Sequence, residues 1–198
     1  MSKIIYIDTE TTGTNPVKQD VLQVAALVEI GGQIVSEFEI FCQPYDYSAI
    51  DPKALEITGF KISDIKEWHK PADAYRQFTE FLSKYVDKYN KADKFIPAGQ
   101  NVLFDLEFLH SWVAKSGDKY FGSYVSRNYI DLRVFTVAAR AWGLLQCENV
   151  KLETICAACG VELTAAHNAM ADIKATRECL LKFRKMFEHF KETDIKQL

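Results

Sequence analysis

The stretch Lys3-Ile4-Ile5-Tyr6-Ile7-Asp8-Thr9-Glu10 opens the chain with a short apolar run and closes it with two acids. Over residues 3–8 the run predicts a strand buried on both faces, the pattern of a central rather than an edge strand. Asp8 and Glu10 end that strand at i and i+2, so both side chains point to the same side of the sheet at its carboxyl end. Two carboxylates held that close repel unless a cation lies between them.

Outward from this strand, residues 21–30 and 33–42 are β-rich and are separated by Gly31-Gly32, a two-residue signal for an antiparallel hairpin. Asp51-Pro52 predicts the start of a short helix that Gly59 stops. Pro71 opens a longer amphipathic helix with Tyr75, Phe78, Phe81, Leu82, Tyr85 and Val86 at helical spacing. A strand fits 94–99, Asn101 is placed to cap a helix to about Lys115, and 127–131 predicts a strand leading into a helix through Trp142. The last helix is expected to start near His167 or Asn168 and to run past Phe187, with Ile173, Thr176, Leu180, Phe183 and Phe187 on one face. No repeat or linker interrupts the pattern. The expectation is one α/β domain with a mixed sheet over 1–190 and a fraying tail over 191–198.

Composition bounds the function. At 198 residues, 48% hydrophobic and 26% charged, the chain can bury one sizeable core and is not disordered. A formal net charge of −3 excludes a strongly basic nucleic-acid glove, although two divalent cations in an acidic site would move that balance to +1. Five scattered cysteines, with no secretory leader and no apolar run long enough to span a bilayer, predict reduced thiols in a cytoplasmic protein that does not enter membranes.

Two further acids fall where the pattern predicts burial. Asp105 lies among Val102, Phe108 and Leu109 on the apolar stripe of its helix, where a bare carboxylate is expensive; an Arg partner, protonation or a metal would relieve it. Asp172 stands near the start of the last helix, flanked by Ala169, Ala175 and Thr176, small residues that let the helix approach the sheet. His167 is five residues earlier, which on a helix turns about 140° away from Asp172, so both reach one site more easily if His167 stands in the entry loop. Four oxygen donors suit hard cations such as Mg²⁺ or Mn²⁺ better than Zn²⁺, and a histidine outside that set is free to act as a general base. The helix N-terminus beside His167 keeps its imidazole neutral near neutral pH. These are the parts of metal-assisted phosphoryl hydrolysis.

Each residue alone admits a plainer reading. Asp8 through Gly13 could be a strand end followed by a hydroxyl turn, Asp105 an acid capped by backbone amides, and His167 a polar residue at a helix start. Cys156-Ala157-Ala158-Cys159 reads as small buried thiols, because a structural zinc normally wants four ligands. Asp131 reads as a helix cap, and Phe104 as a side chain able to stack on a base or sugar.

The joint set resembles the DEDDh-type, DnaQ-like 3′–5′ exonucleases. The motifs are Ile7-Asp8-Thr9-Glu10-Thr11-Thr12-Gly13, then Gly99-Gln100-Asn101-Val102-Leu103-Phe104-Asp105, and then His167-Asn168-Ala169-Met170-Ala171-Asp172. The resemblance implies an RNase H-like fold with a five-stranded mixed sheet. It implies that Asp8, Glu10, Asp105 and Asp172 hold two Mg²⁺ or Mn²⁺ ions and that His167 deprotonates the attacking water. Single-stranded or frayed DNA or RNA 3′ ends would be shortened to nucleoside 5′-monophosphates, and a polymerase or another replication or repair protein is the partner it suggests. It sets Thr11, Thr12, Gly13, Ile57, Thr58, Asn101 and Phe104 against the substrate, with Ile57 on the terminal base. Thr58 and Gln100 stand where many members carry histidine, so Thr58 is expected to offer a hydroxyl contact instead. The alternative on the same fold is a non-catalytic nucleic-acid-binding or polymerase-accessory module; a third reading is a thiol or zinc protein built on Cys156 and Cys159.

Overall fold

A computed structural model describes residues 2–164 and 168–187. Five strands, β1 (Lys3–Thr11), β2 (Val21–Ile30), β3 (Gln33–Phe41), β4 (Ile96–Gly99) and β5 (Ile130–Asp131), form one sheet in the order β3-β2-β1-β4-β5. The β1–β2 and β2–β3 pairs are antiparallel, and β1–β4 and β4–β5 are parallel. Gly31 and Gly32, at φ 60° and 86°, make the hairpin turn that the sequence announces.

Side-chain alternation along β1 decides what each layer contains. Ile5 and Ile7, with Val24, Ala26 and Val28 of β2, face helices α3 (Pro71–Ser83) and α4 (Val102–Lys115). Their layer is filled by Phe78, Phe108, Trp112 and Phe121. Tyr6, Ala25, Leu27 and Ala98 face the other way, toward α5 (Leu132–Ala141), α6 (Leu152–Cys159) and α7 (Ala169–Phe187). Covering both faces is why β2 is buried along nearly its whole length. Arg177 of α7 donates from Nε to Glu29 Oε2 at 2.7 Å, and Tyr6 donates to the same oxygen at 3.4 Å, so an ion pair inside the layer fixes α7 against the sheet. Cys156 and Cys179, both buried, bring their sulfurs to 3.7 Å where α6 meets α7.

The structure departs from expectation at several points; β4 starts at Ile96 rather than at residue 94, and α3 ends at Ser83, short of Tyr85 and Val86. β1 continues past residue 8 to Thr11 because Ala25, Val24 and Gln23 go on pairing with Asp8, Thr9 and Glu10 before a bulge between Glu10 and Thr11. β5 keeps only two residues of the expected 127–131. Val125 bridges Phe95, the chain then turns as Asn128 N–H bonds Ser126 Oγ, and pairing resumes only at Ile130. Asn101 does occupy the N-cap position of α4, but in the left-handed region (φ 61°, ψ 40°) and without a side-chain capping bond. A one-turn helix α2 (Ile62–Ile65) follows α1 (Pro52–Thr58); α1 itself is capped as expected by Asp51 and ended by Gly59 at φ 72°. None of the described helices is long and apolar enough to cross a membrane.

Candidate active site

Asp8 and Glu10, even-numbered on β1, share the face that Tyr6 presents to α7. The first turn of α7 brings Asp172 to them: Asn168 Oδ1 accepts from Ala171 N–H at 3.0 Å, and Asn168 O accepts from Asp172 N–H at 2.9 Å. One carboxylate oxygen from each of Asp8, Glu10 and Asp172 lies within 4.8 Å of the others. Burial pushes the Asp8 carboxyl well above its ordinary range, and Asp105, Glu10 and Asp172 push it further. Burial, then Asp172 and Asp105, raise Glu10 to about 8. No cationic side chain among the described residues figures among the groups acting on Asp8 or Glu10.

Asp105 arrives from the opposite layer. It is 3% exposed, and its Oδ1 accepts from Thr9 N–H at 2.9 Å and from Thr9 Oγ1 at 2.7 Å. Burial raises its carboxyl, and the Thr9 bonds hold it down. The relief expected from an Arg, a proton or a metal is thus partly supplied by Thr9, whose odd position in β1 turns it to the α4 side. Asp105 stands beside the three converging acids and is not among the oxygens gathered within 4.8 Å. His167 lies outside the described residues.

A groove of about 320 Å³ opens next to Glu10, and Thr11, Gly13, Ile57, Thr58 and Phe104 line it. Ile57 is 60% exposed, while Phe104 is half-buried on Phe108, with ring centroids 4.9 Å apart. The Thr58 hydroxyl donates to Ala54 O at 3.0 Å and accepts from Phe60 N–H at 3.3 Å, so its proton is turned into α1. Thr12 is fully buried and does not line the groove; its Oγ1 accepts from Asp20 N–H at 2.8 Å and shapes the loop. A Cβ on Gly13 would stand 1.8 Å from Gln19 Nε2, the nitrogen that bonds Thr12 O and Ala49 O, so a larger residue there would displace the amide that ties this loop together. Asn101 Oδ1 accepts from Arg133 Nη1 at 3.2 Å, and Gln100 Nε2 donates to Val150 O at 2.6 Å. Thr9 and Gln19 are the contributors that sequence reasoning missed. Strand alternation opposite to Asp8 and Glu10 could have found Thr9, whereas nothing local in the sequence points to Gln19.

Oxygen donors without nitrogen or sulfur, mutually repelling and partly desolvated, fit a hard divalent cation. Among the described residues this is the one group whose possible ligand atoms converge so closely, and the cysteines of α6 and α7 form no such set.

An exonuclease family model, RNase T, matches residues 5–180. The PolC-type DNA polymerase III of Thermotoga maritima is 27% identical over 194 residues, covering 98% of this chain and 13% of the polymerase. That of Bacillus subtilis is 26% identical over 181 residues, covering 91% of this chain and 11% of the polymerase. Escherichia coli Exonuclease I, solved in complex with a dT13 oligonucleotide, superposes with a TM-score of 0.77 at 22% identity, over 100% of this chain and 46% of that one. A moderately thermophilic Exonuclease I from Methylocaldum szegediense gives 0.77 at 21% identity, over 96% of this chain and 41% of that one. This chain therefore spans a small fraction of the polymerases and under half of the exonuclease chains. With the family matched over 5–180 and the five-stranded mixed sheet in place, the chain belongs to the RNase T exonuclease family, of the DEDDh, DnaQ-like type on the RNase H-like fold.

Proposed function

We propose that this domain is a 3′–5′ exonuclease that removes nucleoside 5′-monophosphates from single-stranded or frayed nucleic-acid ends. The convergence of Asp8, Glu10 and Asp172 beside an open groove carries this reading. Two Mg²⁺ or Mn²⁺ ions, held by Asp8, Glu10 and Asp172 with Asp105 beside them, would activate the attacking water and neutralise charge on the leaving oxygen. The protein's part is positional. Ile57 and Phe104 form apolar walls of the groove, suited to the faces of a terminal nucleoside and indifferent to base identity. Thr9 holds Asp105 in one orientation while the helix around it is packed into the core. His167, by its place in the third motif, takes the proton from the nucleophilic water. The dT13 ligand of a structural neighbour favours DNA, and the polymerase relatives favour work alongside a polymerase in the cytoplasm.

The test is a 5′-labelled single-stranded oligonucleotide incubated with Mg²⁺ or Mn²⁺, with and without EDTA. A ladder of shortened products that EDTA abolishes is expected. Intact substrate in the presence of either metal would instead favour a non-catalytic accessory module.

A further inference from the structure

Asp131 does more than cap a helix. Its Oδ1 accepts from Arg133 N–H at 2.8 Å, which is the capping bond of α5. The same oxygen also accepts from Asn101 N–H at 3.0 Å, in the turn between β4 and α4, thirty residues away. Capping accounts for the first bond only. A second tie joins the same two turns, since Arg133 Nη1 donates to Asn101 Oδ1 at 3.2 Å. Asp131 is 6% exposed, unlike a cap that water can assist.

The turn it holds is tight. Asn101 is the one non-glycine residue with positive φ among the described residues, a conformation that costs an ordinary residue roughly 1 kcal/mol and that asparagine tolerates better. At Gly99, two residues earlier, a Cβ would lie 2.9 Å from Ile7 O and 3.0 Å from the Val102 side chain, so this turn presses against β1. From Asn101 the helix starts at once, with Phe104 N–H bonded to Asn101 O at 2.9 Å. Phe104 of the groove and Asp105, bonded to Thr9, follow directly. The placement of α4's first turn therefore sets where both stand.

We infer that Asp131 is a positioning residue for the proposed reaction: by clamping the β4–α4 turn to the β5–α5 turn, it fixes Asp105 beside the acids of β1 and α7. The inference rests on the proposed function for its catalytic consequence, but not for its structural one.

Asp131→Ala removes the acceptor, whereas Asp131→Asn keeps an oxygen that can take both N–H groups. Thr136→Val serves as a control, because it strips a buried hydroxyl bonded to Leu132 O within α5 and leaves the clamp untouched. Hydrogen exchange at residues 101 and 102, followed by NMR, should quicken about tenfold or more in Asp131→Ala and return toward wild type in Asp131→Asn. In oligonucleotide degradation, kcat should fall about 10- to 100-fold in Asp131→Ala, with KM moving less, and recover most of the way in Asp131→Asn. Unchanged exchange in Asp131→Ala would overturn the clamp. So would a kcat no lower than that of Thr136→Val, or an Asn variant as impaired as the Ala variant. If wild type itself degrades nothing, the proposed function fails while the exchange measurement still judges the clamp.

Discussion

The two faces of β1 deliver acids to one place by different means. On the even face, Asp8 and Glu10 meet Asp172 across the packing of β1 against α7, and Asp172 raises the carboxyls of both. On the odd face, Asp105 comes from α4 and is met by two donors from Thr9. The even face is a cluster of mutually repelling acids whose oxygens converge, while the odd face is a supported carboxylate built into the core. Variants on the two faces should therefore separate activity from stability.

The largest effect expected is on the even face. Asp8→Asn should lower kcat on the order of 10³-fold with Mg²⁺ present, while leaving the metal-free protein as stable as wild type or more so, because one repelling charge is gone. Paired activity and urea-unfolding measurements read both. Asp105→Ala should also lose activity but cost about 2–3 kcal/mol of stability, since it strands two buried donors of Thr9 and opens a gap in the core. Equal stability changes in the two variants would erase the distinction between the faces.

Stability should also depend on pH differently on the two faces. Burial, then Asp172 and Asp105, push Glu10 up to about 8 in the folded chain, against an ordinary value near 4.5. Between these limits the native state binds more protons than the unfolded one, so metal-free stability should fall as pH rises from about 4.5 to about 8. Glu10→Gln should lessen that slope, the remainder coming from Asp8 and Asp105, which burial also raises, and urea midpoints across the range would show it. Smaller still, Thr9→Val should cost about 1 kcal/mol by removing one hydroxyl bond to Asp105. Ile57→Ala, at a side chain 60% exposed, should leave stability nearly unchanged and raise KM several-fold; an unchanged KM would remove Ile57 from the substrate groove.

Much of this arrangement was legible in the amino-acid order. The apolar run before Asp8, the Gly31-Gly32 hairpin and the Asp51-Pro52 helix start are local signals, and the structure keeps them. Period-two spacing placed Asp8 and Glu10 on one face, and period 3.6 placed Asp105 in the core. What escaped depends on partners far along the chain. The shortness of β5 follows from where Phe95 meets Val125, and the left-handed turn at Asn101 accompanies its backbone bond to Asp131. The inward hydroxyl of Thr58 is local, but its sequence equally allows an outward one. The entry-loop position expected for His167 falls outside the described residues.

We propose that the acids of β1 and α7 are kept together for a hard cation. Calorimetric titration of Mn²⁺ at pH 7, in two buffers of different ionisation enthalpy, tests it most directly. The expected result is saturable binding with net release of protons, since Glu10 holds its proton at that pH, and loss of binding in Asp8→Asn. Absence of binding, or binding that survives in Asp8→Asn with no proton release, would contradict it.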